Sequence, residues 1–361
     1  MRDPAFWWTE HSTAAAVLAP LGACYGAIAA RNMARPGRKA PVPVICVGNF
    51  TLGGAGKTPT AIALARLLLE LRHRPFFLSR GYGGRVAGPV RIDHSHLPRE
   101  RESVSIYPST LAGDGREGDV GDEPLLLARV APTIVARDRW AGVNAAAAGG
   151  ADTIIMDDGL QNPSVDKDLA IAVVDGRRGI GNGHTFPAGP LRAPLEAQLD
   201  HVDAVLVVGS AGRAADRAIG PAQSRGLPVL HGDLHPAPEA VAALAGKSVL
   251  AFAGIADPDK FFATLEAHGI PAAIRRPFPD HHRYTADEMS ALVDCARRNG
   301  LTPVTTEKDL ARLSGDPAAA DLIEQSAVLP VTLRLRELPA VEAMLRDVIR
   351  GRGGPIAARA G

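Results

Sequence analysis

An apolar run, Val42–Val47, leads directly into Gly48-Asn49-Phe50-Thr51-Leu52-Gly53-Gly54-Ala55-Gly56-Lys57-Thr58-Pro59, and an Ala- and Leu-rich stretch continues to Leu71. Strand, glycine-rich turn and helix in that order are the context in which Gly-Lys-Thr closes a phosphate-binding P-loop. Glycines let backbone N–H groups converge on phosphate oxygens, and the helix N-terminus adds positive potential. Gly53, Gly54, Ala55, Gly56, Lys57 and Thr58 are therefore the candidate nucleotide-binding residues. In such a loop the lysine reaches the β- and γ-phosphates and the threonine hydroxyl ligates Mg²⁺. The strict pattern has glycine where this chain has Thr51, and Gly53 and Gly54 supply the flexibility instead. Pro59 suits a first helical turn, where its missing N–H is not needed. The expectation is a chain that binds a nucleoside triphosphate.

Further strand-like runs recur at Pro75–Leu78, Thr133–Ala136, Asp152–Met156, Leu169–Val174, Ala204–Val208, Ser248–Ala253, Pro303–Thr305 and Val328–Leu333. Helical stretches such as Pro59–Leu71, Glu123–Arg129 and Pro258–His268 lie between them. Short, nearly continuous apolar strands separated by helices predict a parallel sheet covered on both faces. With 361 residues, about two domains are expected at roughly 150 residues each. The composition shifts near 210–247, which places the boundary there: 1–38 as an N-terminal hydrophobic helix, 39–228 as the P-loop domain, and 229–361 as a smaller α/β domain with a frayed tail from Gly351. The predicted fold class is α/β, a P-loop NTPase-like α/β/α sandwich with a second, smaller α/β/α domain and a membrane-associated helix.

Forty basic residues against 39 acidic leave a net charge of +1, which argues against a nucleic-acid-coating protein. Cys24, Cys46 and Cys295 form no CxxC spacing and read as small buried hydrophobes in a reducing compartment. Residues 13–30 carry no charge; Phe6, Trp7 and Trp8 precede them, and Arg31, Arg35, Arg38 and Lys39 follow. A signal peptide carries its charge before the apolar run, not after it. The reading is an interfacial helix with aromatic and basic anchors, and a helix packed on the domain is the plainer alternative.

Ile154-Ile155-Met156-Asp157-Asp158 ends an apolar strand with two acids, the placement of a metal-holding carboxylate beside a P-loop. Asp122-Glu123 precedes Pro124 and an apolar helix, where acids also simply complement the helix dipole. His281 and His282 sit in a polar loop, as a base, a proton shuttle or merely solvated side chains. Arg80, Arg137 and Arg192 are candidates for phosphate contacts or ordinary surface pairs.

Several stretches in order carry a resemblance. They are Val47–Pro59, Ser79-Arg80-Gly81-Tyr82-Gly83-Gly84, Gly121-Asp122-Glu123-Pro124, Asp157-Asp158-Gly159-Leu160-Gln161, Gly181-Asn182-Gly183, Pro187-Ala188-Gly189-Pro190-Leu191-Arg192, Phe278–Tyr284 and Thr306-Glu307-Lys308-Asp309. Together they resemble the tetraacyldisaccharide 4′-kinase family, the lipid A 4′-kinases of Gram-negative bacteria, over about residues 13–335. The resemblance implies an ATP- and Mg²⁺-dependent kinase that phosphorylates the 4′-hydroxyl of tetraacyldisaccharide 1-phosphate to give lipid IVA. It implies an acylated disaccharide lipid as substrate, peripheral attachment to the cytoplasmic face of the inner membrane, and two domains joined by a β-ribbon linker. No nucleic acid and no obligate protein partner is expected. By the same resemblance Asp122, His281 and Lys57 are the catalytic candidates, Asp122 as base with His281 paired to it. Thr58, Glu123, Asp157 and Asp158 are the metal-side candidates. Two departures stand out: Asn162-Pro163 follows Gln161 where many relatives have His and Arg, and residues 93–117 look like an insertion.

A P-loop switch or assembly ATPase acting through a protein partner is the alternative. The apolar N-terminal helix and the missing Asn-Lys-x-Asp guanine signature favour the kinase.

Overall fold

The computed structural model describes residues 3–82, 84, 86–92, 120–314 and 316–351. The expected insertion at 93–117 and most of the expected tail lie outside them. The described strands form two sheets. Strands β1 (Val44–Asn49), β2 (Pro75–Ser79), β3 (Val90–Ile92), β4 (Thr133–Val135), β5 (Thr153–Asp157), β6 (Leu169–Asp175), β7 (Ala204–Val208) and β8 (Val229–Pro236) belong to the larger one. Strands β9 (Val249–Ala253), β10 (Ala272–Pro277), β11 (Thr302–Thr305) and β12 (Ala327–Val328) form the smaller, in the order β10-β9-β11-β12. The chain then returns as β13 (Val331–Leu335) to the larger sheet, whose order is β13-β8-β7-β6-β1-β5-β2-β4-β3.

The large sheet is parallel except at its edges, where β3 and β13 run antiparallel to their neighbours. Its central strands β1, β5, β6 and β7 are buried along their whole length, which is why they read as unbroken apolar runs rather than as alternation. Helix Lys57–Glu70 covers one face through Ala61, Leu64, Ala65 and Leu68 and shares a cluster with Phe77, Ile155, Leu206 and Leu345. Helix Arg213–Ser224 covers the other through Ala215, Ala218 and Ala222.

The sheet boundaries depart from the division at 228/229. Val205 to Val208 of β7 pair in parallel with Val229 to Gly232 of β8, so 229–236 is sheet-bonded to the P-loop lobe. Val331–Leu335 pairs antiparallel with β8, from Val331 opposite Pro236 to Leu335 opposite Gly232. The second lobe is thus built from about 238–329, entered and left through an antiparallel pair of strands. The single strand expected over Val328–Leu333 is two: Pro330, which lacks an N–H, separates β12 in the small sheet from β13 in the large one.

Helix Thr13–Met33 has 21 residues and is apolar and long enough to cross a membrane. Val17, Leu21 and Ile28 are exposed, while Gly22 and Gly26 pack on Thr185, whose hydroxyl donates to the Gly22 carbonyl at 2.5 Å. Trp7 departs from the expected interface anchor. It is buried, donates from Nε1 to the Pro187 carbonyl at 3.0 Å and meets Phe186 edge-on. Trp8 lies beneath the Arg178 guanidinium. Of the cysteines only Cys46 is buried; Cys24 is exposed and Cys295 half-buried.

Candidate functional site

The loop after β1 turns through Gly53 (φ 95°) and Gly56 (φ 97°), left-handed backbone that glycine adopts without strain. Gly56 is the N-cap of helix Lys57–Glu70, so the first free N–H groups of that helix open onto the loop. Ala55, Lys57 and Thr58 are buried. The Lys57 ammonium folds back over the loop, donating to Asn49 Oδ1 at 3.2 Å and standing 3.8 Å from Asp158. A lysine held by neutral or shared acceptors is poised to exchange them for phosphate oxygens. A cleft of about 410 Å³, with no residue of the loop in its lining, is walled by Trp8, Glu10, Arg177, Arg178, Gly181, Arg213, Ala214 and Arg217. It opens on the segments that follow β6 and β7.

The two acids ending β5 are in different states. Asp157 is paired in register with Val47, next to the start of the loop. Both of its carboxylate oxygens are buried without a hydrogen-bond donor. Burial, reinforced by the nearby Glu123 charge, raises its pKa above the usual carboxylate range. Asp158 (φ 55°) turns the other way. Arg192 grips both its oxygens, Nη1 to Oδ1 at 2.8 Å and Nη2 to Oδ2 at 3.0 Å. Burial opposes its ionisation, but Lys57 and Arg192 outweigh that and hold it well below the usual range. Arg192, read as a phosphate candidate, is thereby committed to Asp158 and to the Thr51 carbonyl at 2.9 Å. Arg137 is exposed and donates to the Gly84 carbonyl, and Arg80 is exposed at the end of β2.

Asp122 and Glu123 open helix Asp122–Ala128, reached from Gly121 at φ 90° and ψ 163°. A Cβ on Gly121 would stand 2.4 Å from the Tyr82 carbonyl oxygen, so only glycine lets the chain enter there. Both acids meet cations from the second lobe. Lys308 Nζ donates to Glu123 at 2.7 Å, and Arg312 Nε donates to Asp122 Oδ2 at 2.8 Å. Both cations project from helix Glu307–Leu313, which the Thr306 side chain caps by accepting from the Asp309 N–H. His281 also comes from the second lobe, its Nδ1 3.6 Å from Asp122 Oδ1. Burial resists ionisation of Asp122, but the neighbouring His281 and the charges of Arg312 and Lys308 hold its carboxyl far below the ordinary range. Lys308 and Lys57 depress Glu123 against its own burial. Burial likewise works against a charge on His281, yet Asp122 and Asp280 raise its pKa.

His282 is placed elsewhere. Its Nε2 lies 2.8 Å from Glu288, and its ring stacks on Phe278 at 4.9 Å and meets Tyr284 edge-on at 5.2 Å. The adjacent histidines thus point to different partners. Among the described residues no three His, Cys, Asp or Glu side chains converge as a metal cage. Arg312 had no part in the sequence reading, and Lys308 only as part of a quoted motif. The one local signal was the run of acids and cations after Thr306.

The sequence matches the family described as Tetraacyldisaccharide-1-P 4'-kinase over residues 14–350. A tetraacyldisaccharide 4'-kinase of Methylobacterium nodulans is 57% identical over 347 residues, 96% of this chain and 95% of that one. Another, from Methylobacterium sp. strain 4-46, is 56% identical over 98% of this chain and 100% of its own. The fold matches a crystal structure of LpxK from Aquifex aeolicus in complex with ATP, with TM-score 0.67 and 25% identity over 93% of this chain and 99% of that one. With a family match over residues 14–350 and relatives more than half identical over nearly its whole length, the chain belongs to the tetraacyldisaccharide 4′-kinase family.

Proposed function

We propose that the chain transfers the γ-phosphoryl group of ATP to the 4′-hydroxyl of tetraacyldisaccharide 1-phosphate, giving lipid IVA, with Asp122 as the base. The observation that carries this reading is the juxtaposition of a P-loop lysine with a buried acid pair whose partners, His281, Lys308 and Arg312, all come from the other lobe. Phosphoryl transfer needs positioning and cations more than covalent chemistry, and this arrangement supplies both.

In this reading the loop N–H groups and Lys57 bind the β- and γ-phosphates. Asp122 accepts the proton of the sugar hydroxyl as the new O–P bond forms and the bond from the γ-phosphorus to the bridging oxygen breaks, releasing ADP. Its low pKa makes it a weak base, so it works by tight placement, and His281 orients it and balances its charge. A divalent cation fits beside Asp157, because two buried oxygens without a donor are costly unless a cation takes them up. Thr58 and Glu123 are its further ligand candidates, and Asp158 acts through Arg192 and Lys57. Bound there, Mg²⁺ neutralises charge developing on the transferred phosphoryl group.

The exposed apolar face of Thr13–Met33, followed by Arg31, Arg35, Arg38 and Lys39, supports attachment at the cytoplasmic face of the inner membrane. The test is turnover with γ-labelled ATP and the acylated disaccharide 1-phosphate, resolved by thin-layer chromatography. Label entering the lipid supports the kinase. Label recovered only as inorganic phosphate removes it in favour of an ATPase.

A further inference from the structure

Asp122 receives more from the second lobe than a counter-charge. Arg312 is held from behind at two points: Nη1 donates to Asp309 Oδ1 at 2.9 Å and to the Gly254 carbonyl at 2.5 Å. Asp309 is fully buried and is itself fixed by the Gly254 N–H and the Tyr284 hydroxyl, both at 2.9 Å, and by the Thr306 hydroxyl at 2.7 Å. The guanidinium therefore cannot swing, and its free edge faces Asp122. Nε donates to Oδ2 at 2.8 Å, and Nη2 stands 2.7 Å from the same oxygen as a charge contact without making a hydrogen bond of its own.

That asymmetry matters. A bidentate clasp would occupy both carboxylate oxygens, as Arg192 does on Asp158. Here Oδ1 is left with only His281, whose Nδ1 at 3.6 Å is beyond a good hydrogen bond. One oxygen is pinned and the other is open to a third group. A carboxylate that merely needed neutralising would not need a second buried carboxylate to aim its cation.

We propose that Arg312, aimed by Asp309, is a positioning residue that pins Asp122 by Oδ2 and so turns Oδ1 toward the acceptor hydroxyl. Because Asp122 stands on the P-loop lobe and Arg312, Asp309 and His281 on the other, the base is oriented only while the lobes are in contact. This rests on the reading of Asp122 as base.

The test is steady-state kinetics of Arg312→Met, Arg312→Lys and Asp309→Asn in the full chain, alone and combined with Asp122→Asn. Folding is checked by thermal midpoint, and nucleotide affinity by binding of a fluorescent ATP analogue. A misplaced reacting group costs on the order of 10²-fold. Arg312→Met is expected to lower kcat by about that factor, with KM for both substrates within about threefold and ATP-analogue affinity unchanged. Guanidinium ion in the assay is expected to restore part of the kcat of Arg312→Ala. In the Asp122→Asn background, Arg312→Met should cost less than about threefold, because nothing is left to aim. The same 10²-fold loss in both backgrounds, or a loss confined to KM or to the thermal midpoint, overturns the positioning role. If Asp122→Asn itself keeps near-normal kcat, the base assignment fails, which is a separate result from failure of Arg312.

Discussion

His281 and His282 are neighbours in sequence with different surroundings, and replacing each in turn separates catalysis from packing. His281 faces Asp122 and Asp280 and meets the Tyr82 ring at 5.0 Å. If it orients the base, His281→Ala should lower kcat by about 10²-fold, equivalent to about 2.7 kcal/mol of transition-state stabilisation. His282 has two ring contacts, worth roughly 0.5–1.5 kcal/mol each, and a hydrogen bond to half-exposed Glu288 worth about 1 kcal/mol. His282→Ala should therefore cost about 2–4 kcal/mol of second-lobe stability while leaving kcat of the folded fraction within about threefold. Turnover at saturating ATP and lipid, with thermal unfolding of the same preparations, measures both. The sign of the pH effect gives a second readout. Asp122 and Asp280 raise the His281 pKa above its ordinary 6.5, so its charged pairing contributes stability that is complete below that value. This contribution is lost as pH rises through the raised pKa. The stability gap between the native chain and His281→Ala should then narrow as pH rises above the ordinary 6.5. An equal kcat loss in the two variants, or a gap that widens with pH, would refute the division of roles.

Asp157→Asn should raise the unfolding midpoint measured in EDTA, since it removes a buried charge without a donor, and should lower Mg²⁺-dependent turnover by at least about 10²-fold. A lower midpoint in EDTA would mean that the carboxylate has a partner in the free chain. Gly121→Ala should lower kcat about 10²-fold, because its Cβ would sit 2.4 Å from the Tyr82 carbonyl and shift Asp122; unchanged kinetics would show that the turn yields without moving the base. Gly22→Leu should undock helix Thr13–Met33, because a Cβ there already meets the Thr185 carbonyl at 2.7 Å. Trypsin cleavage at Arg31 and Arg35 should accelerate at least about fivefold while ATP-analogue binding persists, and an unchanged digestion rate would count against docking through Gly22.

The parts legible in the sequence were those whose chemistry is local. The interior strands could be read because burial on both faces confines their polar residues to the strand ends, and the glycine-rich loop after β1 because its glycines, lysine and threonine are contiguous. Strand β8, Val229–Pro236, was missed because it alternates and carries His231, Asp233 and His235. Strand β10 was missed because it is largely exposed and contains Arg275 and Arg276. The partners of Asp122 could not be read from spacing at all. Arg312 lies 190 residues away and meets it only through the packing of two lobes, a contact with no local signature. Asp157 and Asp158 looked alike as a doublet, and the left-handed turn at Asp158 is what sends one toward the loop side and the other to Arg192.

The strands that carry the chain out of the large sheet and back into it also make the second lobe removable. Pro236 and Val331 face each other as register partners, so the two ends of the inserted piece are already neighbours. Joining them by a two-residue turn would convert β8 and β13 into an ordinary hairpin and close the large sheet without residues 237–330. The product would keep Lys57 and Asp157 but lose His281, Lys308 and Arg312, which reach Asp122 and Glu123 from the second lobe. It would be a natural experiment in reverse: a nucleotide-binding half from which the acceptor chemistry has been excised at a seam the topology already provides.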